Sequence, residues 1–280
     1  MLVANTLSEL RTIRSSIRGT FGLVPTMGAL HDGHASLIRR AMGECDHVGV
    51  SIFVNPLQFG SGEDLEKYPR TIEDDLALLE ELGAALVFTP AADSMYPSGY
   101  QTWIKVENVT APLEGAARPG HFRGVVTVVA KLFNAFQPDR AYFGQKDAQQ
   151  AVVIRRMVKD LNFPVAIVVC PTVRESDGLA LSSRNAYLGP EERKAATVLY
   201  RALVSAKNSY EKGEQDGAVL RSVMQSVIES EPLAAAEYIS AADPETLLEL
   251  QQIVPENGAL LSMAVRIGET RLIDNLLLSP

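Results

Sequence analysis

Hydrophobic positions in the first 170 residues alternate between two periods. Residues 21–26 form a short apolar run that ends in a turn holding Gly28, Asp32 and Gly33; over 34–44, Leu37, Ile38, Ala41 and Met42 then fall at helical spacing. A β-branched run at 48–54 predicts a second strand, stopped by Asn55-Pro56. Helical chemistry returns over 71–83, where Thr71 and Asp74 suit an N-terminus, Leu76, Leu79 and Leu82 share a face, and Gly83 ends the run. The pattern further predicts a buried strand at 86–88, an apolar helix at 125–136 ended by Pro138, and strands at 141–143 and 165–170 flanking a helix at 147–161. Strands that alternate with helices, several apolar on both faces, predict an α/β fold with a parallel sheet covered on both sides.

Past 174–178 the pattern changes. Two charged amphipathic helices, 191–212 and 217–231, precede three strand candidates at 237–241, 259–267 and 271–275. Helices followed by strands predict a smaller α+β domain, so the division is 1–175 and 176–280. There are no internal repeats and no low-complexity segments.

Composition narrows the function. At 280 residues, with 46% hydrophobic and 21% charged, the chain can bury a large core, and wholesale disorder is excluded. A net charge of −8 weighs against gripping a nucleic-acid backbone, although a few converging cations still suit a small anion. Cys45 and Cys170 form no CxxC pair and read as core fillers in a reducing compartment. Residues 1–18 carry charges throughout, and no apolar run approaches the roughly 18 residues of a membrane span. The expectation is a soluble, cytoplasmic protein without membrane or nucleic-acid partners.

Three segments carry candidate chemistry. Residues 24–34 hold Met27, Gly28, Ala29, Leu30, His31, Asp32, Gly33 and His34 at a strand-to-helix turn, where backbone N–H groups and a helix dipole favour an anion. Two imidazoles around a glycine suit hydrogen bonding to a phosphate; half a metal site and bystander histidines are the alternatives. Residues 143–150 form a second such junction, with Gly144, Gln145, Lys146, Asp147 and Gln150. Lys146 is either a phosphate cation or a solvated surface lysine, and Asp147 either a ribose acceptor or an N-cap. Residues 174–185 form a flexible, donor-rich loop with Leu181, Ser182, Ser183 and Arg184, suited to pyrophosphate or serving as a linker. Asn55 and Gln58 suit uncharged recognition of hydroxyl and carboxylate groups unless they bond only to backbone, residues 60–70 read as a mobile lid, and Arg118 and His121 add donors.

Together these residues resemble the pantoate–β-alanine ligase family along essentially the whole chain. The matching segments are 24–34, 51–59, 68–71, 118–124, 144–150, 173–185 and 271–275; HxGH alone is a weak signal, but seven segments in order are specific. The resemblance implies a Rossmann-like N-terminal domain, a smaller C-terminal lid domain and a homodimer. It implies Mg²⁺- and ATP-dependent condensation of pantoate with β-alanine through an acyl-adenylate, with no protein side chain assigned to the metal. By resemblance, residues 27–34, Gly144 to Asp147, Val173 and Leu181 to Arg184 would bind ATP, His34 and His31 acting with Lys146 and Arg184. Gln58 would contact both pantoate and β-alanine, Gln150 would contact pantoate, and Asn55 and Arg118 would add substrate contacts. Gln145 and Leu181 stand where many members carry Glu and Met. The rivals are a nucleotidyltransferase with a phosphorylated acceptor, an aminoacyl-tRNA synthetase, and a nucleotide sensor without catalysis.

Overall fold

A computed structural model describes residues 1–60 and 62–278; Ser61, within the expected lid, and Ser279 and Pro280, at the end of the expected second domain, lie outside the described residues. The chain packs as two compact units, Met1–Glu107 with Arg118–Gly144 and Val153–Pro171, and Asn108–Ala117 with Gln145–Val152 and Thr172–Pro280. The sequence suggested a division continuous along the chain, whereas these units are discontinuous. Val109, Leu113, Ala148 and Val152 cluster with Leu247 and Leu260, which draws both short segments into the second unit.

The first unit runs β1 (Leu2–Ala4), α1 (Leu7–Ser16), β2 (Phe21–Thr26), α2 (Asp32–Met42), β3 (His47–Ile52), α3 (Ile72–Glu81), β4 (Leu86–Phe88) and a short α4 (Ala92–Met95). A second short helix, α5 (Glu114–Ala117), belongs to the other unit, and α6 (His121–Phe136), β5 (Arg140–Gly144), α7 (Ala148–Asp160) and β6 (Ala166–Cys170) follow. The sheet is parallel throughout, in the order β1-β4-β3-β2-β5-β6. Val24, Val48, Val50 and Val87 pack with Leu37 and Ile38 of α2 and Leu79 of α3. On the opposite face Phe136 of α6 meets the rings of Phe21 and Phe88. Chain order reverses between β2 and β5, and open parallel sheets bind ligands at the carboxyl ends of their strands at such a switch point.

The second unit continues with α8 (Pro190–Ala195), α9 (Val198–Glu211), α10 (Gly217–Glu229), β7 (Ala234–Ala242), β8 (Ala259–Ile267) and β9 (Thr270–Leu278). The strands form one antiparallel sheet, β7-β8-β9. One face packs Leu261, Met263 and Val265 against Leu199, Leu203, Leu220 and Met224 of the helices. Ser240, Ser262 and Asn275 pair across the three strands in one row, on the face turned away from that core. The single helix expected over 191–212 is two: the Thr197 hydroxyl donates to the Lys194 carbonyl at 2.8 Å, competing with the helical ladder where the break falls.

Candidate active site

β2 leads into a turn at 27–30 that needs outside support. Gly28 has φ +83°, and a Cβ there would lie 2.9 Å from Asp75 Oδ2 and 3.0 Å from Ile52 Cγ2, so only glycine fits. Ala29 follows at φ +50°, also left-handed. Asp75 of α3, 3% exposed, holds the turn. Its carboxylate accepts the Ala29 N–H at 2.9 Å and the Leu30 N–H at 2.8 Å, while Thr71 Oγ1 donates to it at 3.2 Å.

The two histidines then start α2. His31 is the N-cap, and its Nδ1 accepts the Gly33 N–H at 3.1 Å; His34 Nδ1 accepts the His31 N–H at 3.3 Å. The pair thus forms a reciprocal cap, the imidazoles taking the places that Ser and Glu take elsewhere. Their rings lie 4.1 Å apart between centroids, tilted by 40°. An Nδ1 that accepts a hydrogen bond carries no proton, so each neutral ring holds its proton on Nε2. The result is two Nε2–H donors at a helix N-terminus, the end whose dipole favours negative charge.

After β3 the chain makes a 3-10 turn, Pro56–Gln58. Asn55 is 1% exposed and bonds internally in every direction. Its Nδ2 donates to Gln58 Oε1 at 3.1 Å and Gly124 O at 3.2 Å, and its Oδ1 accepts from Leu57 N–H at 3.3 Å and Tyr96 O–H at 2.9 Å. Gln58 Nε2 donates to Met27 Sδ at 3.0 Å, so this amide is held at both ends. The Gln58 carbonyl accepts from His121 Nδ1–H at 2.8 Å and from Arg118 Nη2 at 3.3 Å. Arg118 is otherwise forked on Glu63, at 2.8 and 2.6 Å. Burial pushes the Glu63 carboxyl up, but the hydrogen bonds and charge of Arg118 outweigh it and hold the group below its ordinary value. Within the expected lid, Tyr68 is buried and meets Phe59 edge-on at 6.0 Å.

In the second unit, Gln145–Asp147 form a 3-10 turn ahead of α7. The Lys146 side chain is 19% exposed, with Nζ 3.9 Å from Asp147 Oδ1. Asn275 of β9 donates to the carbonyls of Gln145 and Lys146, and Gln145 Nε2 donates back to Asn275 Oδ1. Gln150 is half-buried on the first turn of α7. The expected flexible loop at 174–185 is a hydrogen-bonded hairpin: Leu181 N–H donates to Val173 O at 3.0 Å, and Arg174 bridges Ala180. Arg193 ties it further, to Glu175 at 2.7 Å and Asp177 at 2.8 Å. Ser182 Oγ accepts the Arg184 N–H at 3.3 Å and starts the 3-10 turn Ser183–Tyr187.

A family model described as pantoate-beta-alanine ligase matches residues 2–277. The chain belongs to the pantoate-beta-alanine ligase family. It is 61% identical to the pantothenate synthetase of Roseiflexus sp. (strain RS-1) over 278 residues, 99% of each chain. The crystal structure of pantothenate synthetase from Thermus thermophilus superposes with a TM-score of 0.95 at 50% identity, covering all of both chains. The pantoate-beta-alanine ligase of Francisella tularensis, solved with beta-gamma ATP and beta-alanine, gives 0.82 at 36% identity, covering 99% of this chain and 97% of that one. The parallel-sheet domain with a smaller antiparallel domain is the architecture of these ligases.

Within its first unit the ligase brings Met27, Asn55 and Gln58 into one bonded group and sets His31 against His34. Arg118 and Asn55, expected to touch substrate, hydrogen-bond to Glu63 and to Gln58 respectively. The sequence reading passed over Asp75, Glu63 and Tyr96 in this unit, and Asp274 in the other. Asp75 looks like one more acidic residue in the first turn of α3, and nothing local connects it to Ala29, 46 positions away.

Proposed function

We propose that this ligase condenses (R)-pantoate with β-alanine, cleaving ATP to AMP and pyrophosphate through a pantoyl-adenylate. The observation that carries this reading is the reciprocal His31–His34 cap at the start of α2, in a chain matched by the ligase family over 2–277.

In the first step the pantoate carboxylate attacks the α-phosphorus of ATP, forming a P–O bond as the bond to pyrophosphate breaks. A carboxylate is already ionised at neutral pH, so no general base is required. The difficulty is bringing anions together, and the chain answers with position and charge. His31 and His34 donate through Nε2–H to the phosphate oxygens, with Lys146 and Arg184 neutralising charge as it builds. Met27 to Leu30, Asp32 and Gly33, with Gly144, Gln145, Asp147, Val173, Leu181, Ser182 and Ser183, complete the nucleotide contacts. Gln58, oriented by Asn55 and Met27, binds pantoate and then β-alanine; Gln150 binds pantoate, and Arg118 with His121 fixes the Gln58 carbonyl. In the second step the β-alanine amine attacks the acyl carbon, the C–N bond forms, AMP leaves and the amine releases a proton.

Among the described residues no three His, Cys, Asp or Glu side chains converge as a metal cage. By resemblance, Mg²⁺ would ride with the nucleotide's phosphates, where it would supply charge neutralisation. The resemblance also supports a homodimer working in the cytoplasm. Among the described residues no helix is long and apolar enough to cross a membrane.

The test is pyrophosphate release from ATP, Mg²⁺ and pantoate, with and without β-alanine. One enzyme equivalent released without β-alanine and many with it is the expected result. No pantoate-dependent release under either condition overturns the reading.

A further inference from the structure

Asn275 is 4% exposed and makes three hydrogen bonds with its carboxamide. Nδ2 donates to Gln145 O at 2.9 Å and to Lys146 O at 2.8 Å, and Oδ1 accepts from Gln145 Nε2 at 3.1 Å. Two successive carbonyls on one amide nitrogen fix the peptide planes on either side of Lys146, and with them the direction in which its side chain leaves the backbone. The neighbouring Asp274 accepts a fork from Arg174 at 2.6 and 2.9 Å, while Arg174 also donates to Asn275 O at 3.2 Å and Gly178 O at 3.0 Å. The Arg174 guanidinium lies 4.3 Å from the centre of the Tyr200 ring. Adjacent residues of β9 thus hold the turn that carries Lys146 and the hairpin that carries Arg184.

We propose that Asn275 is a positioning residue for the adenylation step, setting Lys146 for the phosphates of ATP through the backbone of the 145–147 turn. The proposal rests on the reading of Lys146 as the phosphate cation. Lysine is a long, flexible side chain, and a productive contact demands placement to within about 0.5 Å, which a rigid element supplies better than a loop. The residue type fits the task. An amide nitrogen carries two hydrogens and satisfies both carbonyls at once, whereas Ser offers one donor and ionised Asp none. Asp would also set acceptor against acceptor.

The experiment is a double-mutant cycle on pantoate-dependent pyrophosphate release, using the wild type, Asn275→Ala, Lys146→Ala and the double variant. Asn275→Ala should lower kcat/KM for ATP by about a hundredfold, the scale of a 1 Å misplacement, with KM for β-alanine unchanged. Because it acts through Lys146, it should cost little more on the Lys146→Ala background. Losses that multiply in the double variant, or a wild-type kcat/KM for ATP in Asn275→Ala, overturn the proposal. Should Asn275→Ala fail to fold, Asn275→Ser, which keeps one donor, enters the same cycle under the same criterion. If the wild type shows no pantoate-dependent release, the functional reading itself falls; release in the wild type with multiplying losses removes only the role of Asn275.

Discussion

Asp75 acts on the backbone: the 27–30 turn, proposed to face the nucleotide, depends on it. One carboxylate satisfies two successive backbone N–H groups, at Ala29 and Leu30, which a left-handed turn cannot satisfy by itself. In Asp75→Asn the amide nitrogen faces one of those partly buried donors, and the bond from the carboxylate to that N–H is lost. Stability should fall by about 1–3 kcal/mol, read from the urea midpoint, and kcat should fall with it; an unchanged midpoint and kcat would show that the turn holds without the carboxylate. The histidines allow a sharper separation, because each caps the helix and is proposed also to donate to the phosphates. His34→Ala loses both the cap and the donor, whereas His34→Gln keeps a side chain that can cap from the third helical position. Both should lose about 10²–10³ in kcat, the usual cost of one transition-state donor. Only the alanine variant should also lose stability. Full activity in His34→Gln would mean that the imidazole is there for the helix alone.

Between elements, α6 packs hard against the 56–58 turn. A Cβ on Gly124 would stand 2.1 Å from Leu57 O, a backbone atom that cannot rotate away. Gly124→Ala must push the turn outward, at about 1–3 kcal/mol or more, and Gln58 moves with it. KM for pantoate and β-alanine should rise together while KM for ATP holds; a rise confined to ATP would place Gln58 elsewhere in the reaction. How much of this was legible follows the same division. Helices with a clear apolar face, such as α2 and α3, and β-branched strands such as β3, are found to within a few residues because burial imposes their period. α1 was missed although Thr6 and Glu9 spell a capping box, Glu9 N–H donating to Thr6 Oγ1 at 3.2 Å; only Leu10 of that helix is buried, so it has little apolar stripe to read. The HxGH turn and the amides after β3 were legible as candidate chemistry at strand ends. Their supports were not. Asp75 and Asn275 act across 46 and 130 positions of sequence, and that pairing exists only once the chain has folded.

Over the whole molecule, 34 Asp and Glu residues mean that acid titrates many carboxylates, and those the fold holds down shape its response. Glu9 is lowered by the N–H groups of Asn5 and Thr6, Glu44 by the Arg40 hydrogen bond, Asp46 by the Thr20 hydroxyl and N–H, and Asp177 by Arg193. At Asp243, as at Glu63, burial pushes up but is outweighed, here by bonds from Thr246 and Glu245. Each of these groups is lowered from an ordinary value of 4.5 for Glu or 3.8 for Asp. In that window the unfolded chain binds more protons than the folded one, so stability rises with pH. The contribution is complete above the ordinary values and is lost as pH falls below them toward the folded ones. The urea midpoint should therefore hold from pH 7 to about 5 and decline below about 4.5. Salt separates the contributors, since at 1 M the screening length is about 3 Å and exposed pairs fade first. Glu63 faces Arg118 in a partly enclosed fork, so its share should persist in salt and vanish in Glu63→Gln. A salt-resistant decline unchanged in that variant would assign the acid sensitivity to other carboxylates and leave Arg118 without a part in it.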